Sequence, residues 1–186
     1  MTYKSDVLVV GGGVAGLSFA IWLAEHRKDL SITVLTKANN SESNTSYAQG
    51  GVAAVWDENV DDYNKHIADT LDAGDGICHE DIVKIVVEEG PKRVQEIIEW
   101  GARFDKEGNY DLGREGGHSE NRILHFKDIT GWEIQRTLID KSKEYANITF
   151  LEHFFAINII TQHHLGRLTT RLTPVIECYG AYALNK

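Results

Sequence analysis

The sequence predicts an α/β domain, and three observations carry that prediction. A short apolar strand, Asp6-Val7-Leu8-Val9-Val10, runs straight into G-x-G-x-x-G, with Gly11, Gly13 and Gly16 at the spaced positions. Behind the glycines comes a helix from about Val14 to His26, whose Leu17, Ile21 and Ala24 recur at helical spacing. A second apolar strand, Ile32-Thr33-Val34-Leu35, follows it. Each glycine has its own physical reason: Gly11 permits a tight turn, Gly13 lets the backbone approach a pyrophosphate, and Gly16 lets the helix pack close to the strand. The helix N-terminus then offers N–H groups and a partial positive charge to phosphates. Strand, glycine turn, helix and strand together read as a Rossmann-like dinucleotide-binding unit, the alternative being an ordinary tight turn between strand and helix.

The remaining elements follow in order. Residues 36–46 are rich in Asn, Ser and Thr and read as a loop. Asp61 is the expected N-cap of a helix through Tyr63, Ile67 and Leu71 that stops at Gly74. A second helix is expected from Glu80 to Glu89, and a third opens at Pro91, carries Val94, Ile97 and Ile98, and ends at Gly101. The acidic residues along this stretch, Asp61 and Asp69 among them, read as a solvated helical face rather than a metal site. Thr130-Gly131-Trp132-Glu133 fits a capping box opening a helix through Ile134, Leu138 and Tyr145. From Ile148 to Tyr182 the β-branched and aromatic residues predict several short strands, a β-meander. No repeat or linker divides the chain, so a single domain over 1–186 is expected.

Composition narrows the function. A net charge of −9 argues against nonspecific nucleic-acid binding, which needs a basic face. No apolar run approaches a membrane span, and no leader precedes the glycine turn, so a cytoplasmic protein is expected. Cys78 and Cys178 lack partner histidines at metal-ligand spacing and read as reduced thiols; no metal is expected.

A nicotinamide-binding unit wants an Asp or Glu at the end of the second strand to hold the adenosine ribose. Here that position reads Thr36-Lys37, and an ammonium can only donate. Lys37 suits phosphate or carbonyl contacts, or is simply a solvated strand-end lysine. Its neighbours in sequence go further. Leu35-Thr36-Lys37, Asn44-Thr45-Ser46-Tyr47-Ala48-Gln49-Gly50-Gly51, Arg114-Glu115-Gly116-Gly117-His118-Ser119, Arg122-Ile123-Leu124-His125 and Asp128-Ile129-Thr130-Gly131 form an ordered series. Together they resemble the flavoprotein family of succinate dehydrogenase, fumarate reductase and L-aspartate oxidase, and within it the L-aspartate oxidase branch.

The resemblance implies non-covalent FAD as cofactor. It assigns FAD binding to the turn Gly11, Gly12, Gly13, Val14, Ala15 and Gly16, to Lys37, and to Asn44, Thr45, Ser46, Tyr47, Ala48, Gln49, Gly50 and Gly51. In the membrane-complex members the position of Asn44 is the histidine that tethers FAD covalently; an amide has no such nucleophile. Small residues at 48–51 suit close backbone approach to a flat ring, and backbone donors there would favour the reduced flavin. Glu115 is implied to orient the substrate by reaching its α-ammonium group; a loop glutamate paired with Arg114 is the plainer reading. His118 reads as flavin-side, loop-structuring or simply buried, and Phe126-Lys127 depart from the small residues the family usually has there.

By the same resemblance the chain is the N-terminal part of an FAD-binding domain, with the capping and C-terminal helical domains absent. No catalytic residue is expected within it, the proton-shuttling arginine falling beyond Lys186. The implied reaction is oxidation of L-aspartate to iminoaspartate with oxygen or fumarate as acceptor, the first step of NAD biosynthesis, with quinolinate synthase downstream. The alternatives are a flavoprotein subunit of the succinate dehydrogenase type and a non-catalytic FAD-binding fragment.

Overall fold

The computed structural model describes residues 1–185. In chain order the elements are β1 (Val7–Val10), α1 (Val14–His26), β2 (Ile32–Leu35), β3 (Val52–Ala53), α2 (Tyr63–Ala73) and α3 (Glu80–Glu99). Then come β4 (Lys106–Glu107), β5 (Asn109–Tyr110), β6 (Leu112–Gly113), β7 (Ile123–Leu124), α4 (Thr130–Ser142), β8 (Ile148–Leu151), β9 (Phe154–Thr161) and β10 (Cys178–Asn185). They gather into two compact units, residues 1–43 with 139–185, and Asn44–Leu138.

The first unit is built on a parallel sheet in the order β1-β2-β8. The middle strand, Ile32–Leu35, is buried at every position, as a strand covered on both faces requires. Helix α1 supplies Leu17, Ala20, Ile21 and Ala24, all fully buried. These are the helix and strands that the spacing predicts, the first strand beginning at Val7 rather than Asp6. The stretch expected to be a meander divides instead. Residues 148–151 join β2 in parallel, while β9 and β10 pair with each other antiparallel across a long excursion. The strand adds beside β2, away from β1, and the long stretch of chain between Leu35 and Ile148 supplies the crossover that a parallel neighbour requires.

The second unit has its core at Ala54, Val94, Ala102, Phe104 and Leu124. Trp56 meets Tyr110 edge-on there, ring centres 5.1 Å apart. The antiparallel sheet β3-β7-β6 lies in this unit, beside the packed helices α2 and α3.

Three local expectations are corrected. The two helices expected on either side of Pro91 are one 20-residue helix, α3, with the proline inside. Pro91 leaves the Val87 carbonyl without its usual donor, yet Val87 and Val94 are both buried one heptad apart, and their shared packing carries the helix through. Asp61 is not the cap of α2; Asp62 is, its carboxylate accepting the Lys65 N–H at 3.0 Å. The capping box at residues 130–133 does not close. Thr130 accepts the Phe126 N–H at 3.0 Å, and the Glu133 carboxylate is drawn to the guanidinium groups of Arg103 (2.9 Å) and Arg136 (2.7 Å). Burial acts to raise the Glu133 pKa, but those bonds outweigh it and bring the carboxyl down to about 2.

Candidate functional site

In the first unit the site is made of backbone. The Gly11 N–H donates to the Leu35 carbonyl at 2.9 Å, so the turn leaves the sheet beside the end of β2. Gly11 then takes φ +108°, a conformation L side chains rarely adopt. A β-carbon on Gly16 would collide with the Gly11 carbonyl oxygen and lie 3.2 Å from Val9 Cγ1. One on Gly12 would lie 2.7 Å from Thr36 Cγ2. Close approach of helix to strand therefore rests on Gly16, as expected, and also on Gly12. Helix α1 begins after Gly13 with no side-chain cap and no acidic residue in its first turn. The positive end of the helix dipole therefore meets no carboxylate of its own first turn, which suits an anion there. Val14 and Ala15 are exposed at this mouth. Lys37 is exposed and follows buried Thr36, whose hydroxyl donates to the Ala38 carbonyl at 2.7 Å. The cation thus leaves the same edge of the sheet as the glycine turn.

In the second unit residues 44–51 form a turn laid against the start of α4. The Ala48 N–H donates to the Thr45 carbonyl at 3.2 Å, and the Gly131 N–H donates to the Ala48 carbonyl at 2.9 Å. A β-carbon on Gly131 would meet the Thr45 and Ala48 carbonyl oxygens. Gly131 is thus what lets the turn seat on the helix, a role the sequence reading did not give it. Gly51 is pressed against Ile123 and Leu124 in the same way. Thr45 and Ser46 are half-buried, whereas Asn44, Tyr47, Ala48, Gln49, Gly50 and Gly51 face outward. Glu115 lies directly over this surface: its Oε1 is 3.1 Å from where a Gly50 β-carbon would stand. Two blocks separated by more than sixty residues are thereby brought together.

The loop that carries Glu115 is tied at Ser119 to a charge cluster that the sequence did not reveal. Arg122 is fully buried. Its Nε and Nη2 donate to the two oxygens of Asp61, each at 2.7 Å, and its Nη1 donates to Asp69 at 2.5 Å. Nη1 also sits 3.2 Å from His118 Nδ1, which must accept, so His118 is a loop-structuring group. Asp69 further accepts the N–H and the hydroxyl of Ser119, both at 2.8 Å. Burial acts to raise the Asp69 pKa; the Ser119 amide and the Arg122 guanidinium outweigh it and bring the carboxyl down to about 2. Asp61 is lowered in the same contest, Arg122 overcoming burial. Nearby His66 is lowered by burial first and by the Arg122 charge second. Two members of the acidic run read as a solvated face are thus turned inward. The signal available was Arg122 itself, an arginine preceding the apolar pair Ile123-Leu124. Arg114, the partner considered for Glu115, donates to the Ser119 carbonyl at 3.4 Å. His125 lies between Asp105 (3.3 Å) and Asp111 (3.5 Å).

A glycine turn closed by backbone contact and feeding an uncapped helix defines a dinucleotide-binding chain. It belongs to the FAD binding domain family, which it matches over residues 6–186. It is 46% identical to the L-aspartate oxidase of Acinetobacter baylyi over 187 residues, all of this chain and 33% of that one. It is 44% identical to that of Pseudomonas aeruginosa, covering 99% of this chain and 34% of that one. Among solved structures it resembles the E. coli quinol fumarate reductase FrdA, with TM-score 0.87 and 27% identity over 100% of this chain and 30% of that chain. A Mycobacterium smegmatis Sdh1 complex gives TM-score 0.74 at 31% identity, over 84% and 29%. The chain spans about a third of the length of these relatives. FAD is accordingly its cofactor, and the residues fit it: a tight glycine turn with no room for a β-carbon at Gly12 or Gly16, and a helix start with no side-chain cap and no acidic residue. Among the described residues no helix is long and apolar enough to cross a membrane.

Proposed function

We propose that this chain is the cofactor-binding part of an L-aspartate oxidase, and that Glu115 pairs with the substrate's α-ammonium group. The observation carrying this reading is the Glu115 carboxylate resting against Gly50, in the segment assigned to the flavin. A carboxylate there attracts a cationic nitrogen and offers nothing to succinate, which has none. Glu115 would hold the ammonium and so fix Cα, and lowering the approach to one geometry is the larger part of what a binding residue can add.

In the same reading the turn at Gly11, Gly12, Gly13, Val14, Ala15 and Gly16 holds the pyrophosphate, Lys37 adds a cation, and residues 44–51 hold the ring system. The first unit serves as a Rossmann-like half of the domain. Bound FAD supplies the two-electron acceptor to which the Cα hydrogen is lost as hydride. The substrate nitrogen gives up its protons to solvent or a base, and the product is iminoaspartate. Oxygen or fumarate serves as final acceptor, quinolinate synthase as the consumer of the product, and the cytoplasm as the place of work. Asn44 supports non-covalent attachment, since an amide cannot form the tether.

The test uses the complete protein to which the chain belongs. Under anaerobic conditions L-aspartate should bleach the flavin absorbance while succinate leaves it unchanged, and acid precipitation should release the flavin to the supernatant. Bleaching by succinate instead would assign the chain to the dehydrogenase branch.

A further inference from the structure

We propose that Asp69, held in place by Arg122, is the positioning residue for Glu115: it ties the 114–119 loop to helix α2 and keeps the Glu115 carboxylate against Gly50. This rests on the reading of Glu115 given above.

The connection is short. Ser119 is bound to one oxygen of Asp69 through both its N–H and its hydroxyl, each at 2.8 Å. From Ser119 the chain returns to Glu115 within a single turn, closed by the His118 N–H donating to the Glu115 carbonyl at 3.2 Å. Arg114 adds a guanidinium bond to the Ser119 carbonyl at 3.4 Å. Gly117, at φ +87°, allows the bend, and a β-carbon on it would stand 3.9 Å from that of Ala73 at the end of α2. Glu115 is exposed. Its place is set by where the loop is anchored to α2: by Asp69 at Ser119 and, one residue on, by Lys65 at Glu120 (2.8 Å), the Asp69 bonds being the nearer to Glu115 in the chain.

Asp69 in turn is fixed by Arg122. The guanidinium spends one edge on Asp61 and the remaining nitrogen on Asp69, a division only a planar, multiply donating group can make. A neutral side chain at 69 would accept more weakly from Ser119 and would leave Arg122 short of one counter-charge. The loop would then sample positions in which Glu115 no longer meets the ammonium group. Substrates without an ammonium group would not register the change.

Asp69→Asn in the complete protein is the test, measured alone and combined with Glu115→Gln. Losing a charge-assisted anchor should raise KM for L-aspartate about tenfold. KM for fumarate in the reductive direction should move by less than about twofold, because fumarate does not use Glu115. In the Glu115→Gln background Asp69→Asn should add less than about twofold, since the group it positions is already gone. Equal rises for both substrates, or a full additional factor on top of Glu115→Gln, would overturn the proposal and make Asp69 merely structural. If Asp69→Asn does not fold, Ser119→Ala removes one of the two anchoring bonds and should raise the aspartate KM about threefold with the same non-additivity. A Glu115→Gln enzyme with unchanged aspartate KM would take down the underlying reading as well. An unchanged KM in Asp69→Asn beside a raised one in Glu115→Gln would take down the positioning role alone.

Discussion

The glycine turn of the first unit and the Glu115 loop of the second are both assigned to ligand binding, yet they are built in opposite ways. The turn works by absence. Gly12 and Gly16 leave out β-carbons that would strike Thr36 and the Gly11 carbonyl, and α1 leaves its N-terminus uncapped. The loop works by presence. A fully buried arginine with two carboxylates, Asp61 and Asp69, holds the stretch that carries Glu115. A site made of missing atoms depends on a few adjacent residues. A site made of charges depends on partners fifty or sixty positions away, and its parts fail together.

Breaking the charged region should therefore cost the most. Arg122→Met leaves Asp61 and Asp69 facing each other without a cation, and loss of one partner from a buried ion pair costs on the order of 3–5 kcal/mol. Denaturant unfolding of the complete protein measures it. A loss below about 1 kcal/mol would show that the cluster is solvated and the contrast with the turn overdrawn.

Gly16→Ala attacks the other region. Its methyl group meets backbone rather than a movable side chain, so the helix must shift away from β1. Overpacking of that kind costs about 1–3 kcal/mol. FAD affinity should fall at least about tenfold as the pyrophosphate cradle opens. Flavin fluorescence titration reads the affinity, and an unchanged value would remove Gly16 from the cradle.

Acid gives the most selective effect. The Asp69 carboxyl has a folded pKa of about 2 against an ordinary 3.8. A group depressed on folding stabilises above its unfolded pKa, and that contribution is lost as pH falls through the interval toward the folded value. Asp69 should thus contribute roughly 2 kcal/mol at neutral pH, fading between about pH 4 and 2. Glu133, also at about 2, adds a parallel loss in the same window. Arg122→Met should flatten the Asp69 share of that acid slope, whereas Gly16→Ala should leave the slope intact.

The same contrast explains what was legible in the sequence. Strand β1, helix α1 and strand β2 were readable to within a residue, because their burial pattern and their glycines are local. Lys37 and residues 44–51 were named by resemblance alone, and within that segment Thr45 and Ser46 are half-buried. The second unit was readable only in pieces. Whether Asp61 or Asp62 caps α2 is decided by Arg122, which takes Asp61 inward. Glu133 was expected to cap its own helix, but Arg103, thirty residues earlier, claims it. Pro91 signals a helix start by itself, and burial of Val87 and Val94 on both sides overrides it. Glu115 was named from its motif, while its place against Gly50 required the fold. For Asp61, Glu133 and Glu115 the deciding partner is distant in the chain, and no local pattern announces it.

The central claim is that Glu115 reads the substrate's ammonium group. It is tested most directly by comparing Glu115→Gln with the unaltered complete protein in two reactions, oxidation of L-aspartate and reduction of fumarate. Loss of one charge-assisted contact should lower kcat/KM for aspartate by roughly a hundredfold and for fumarate by less than about threefold. Equal losses in the two reactions would contradict the account.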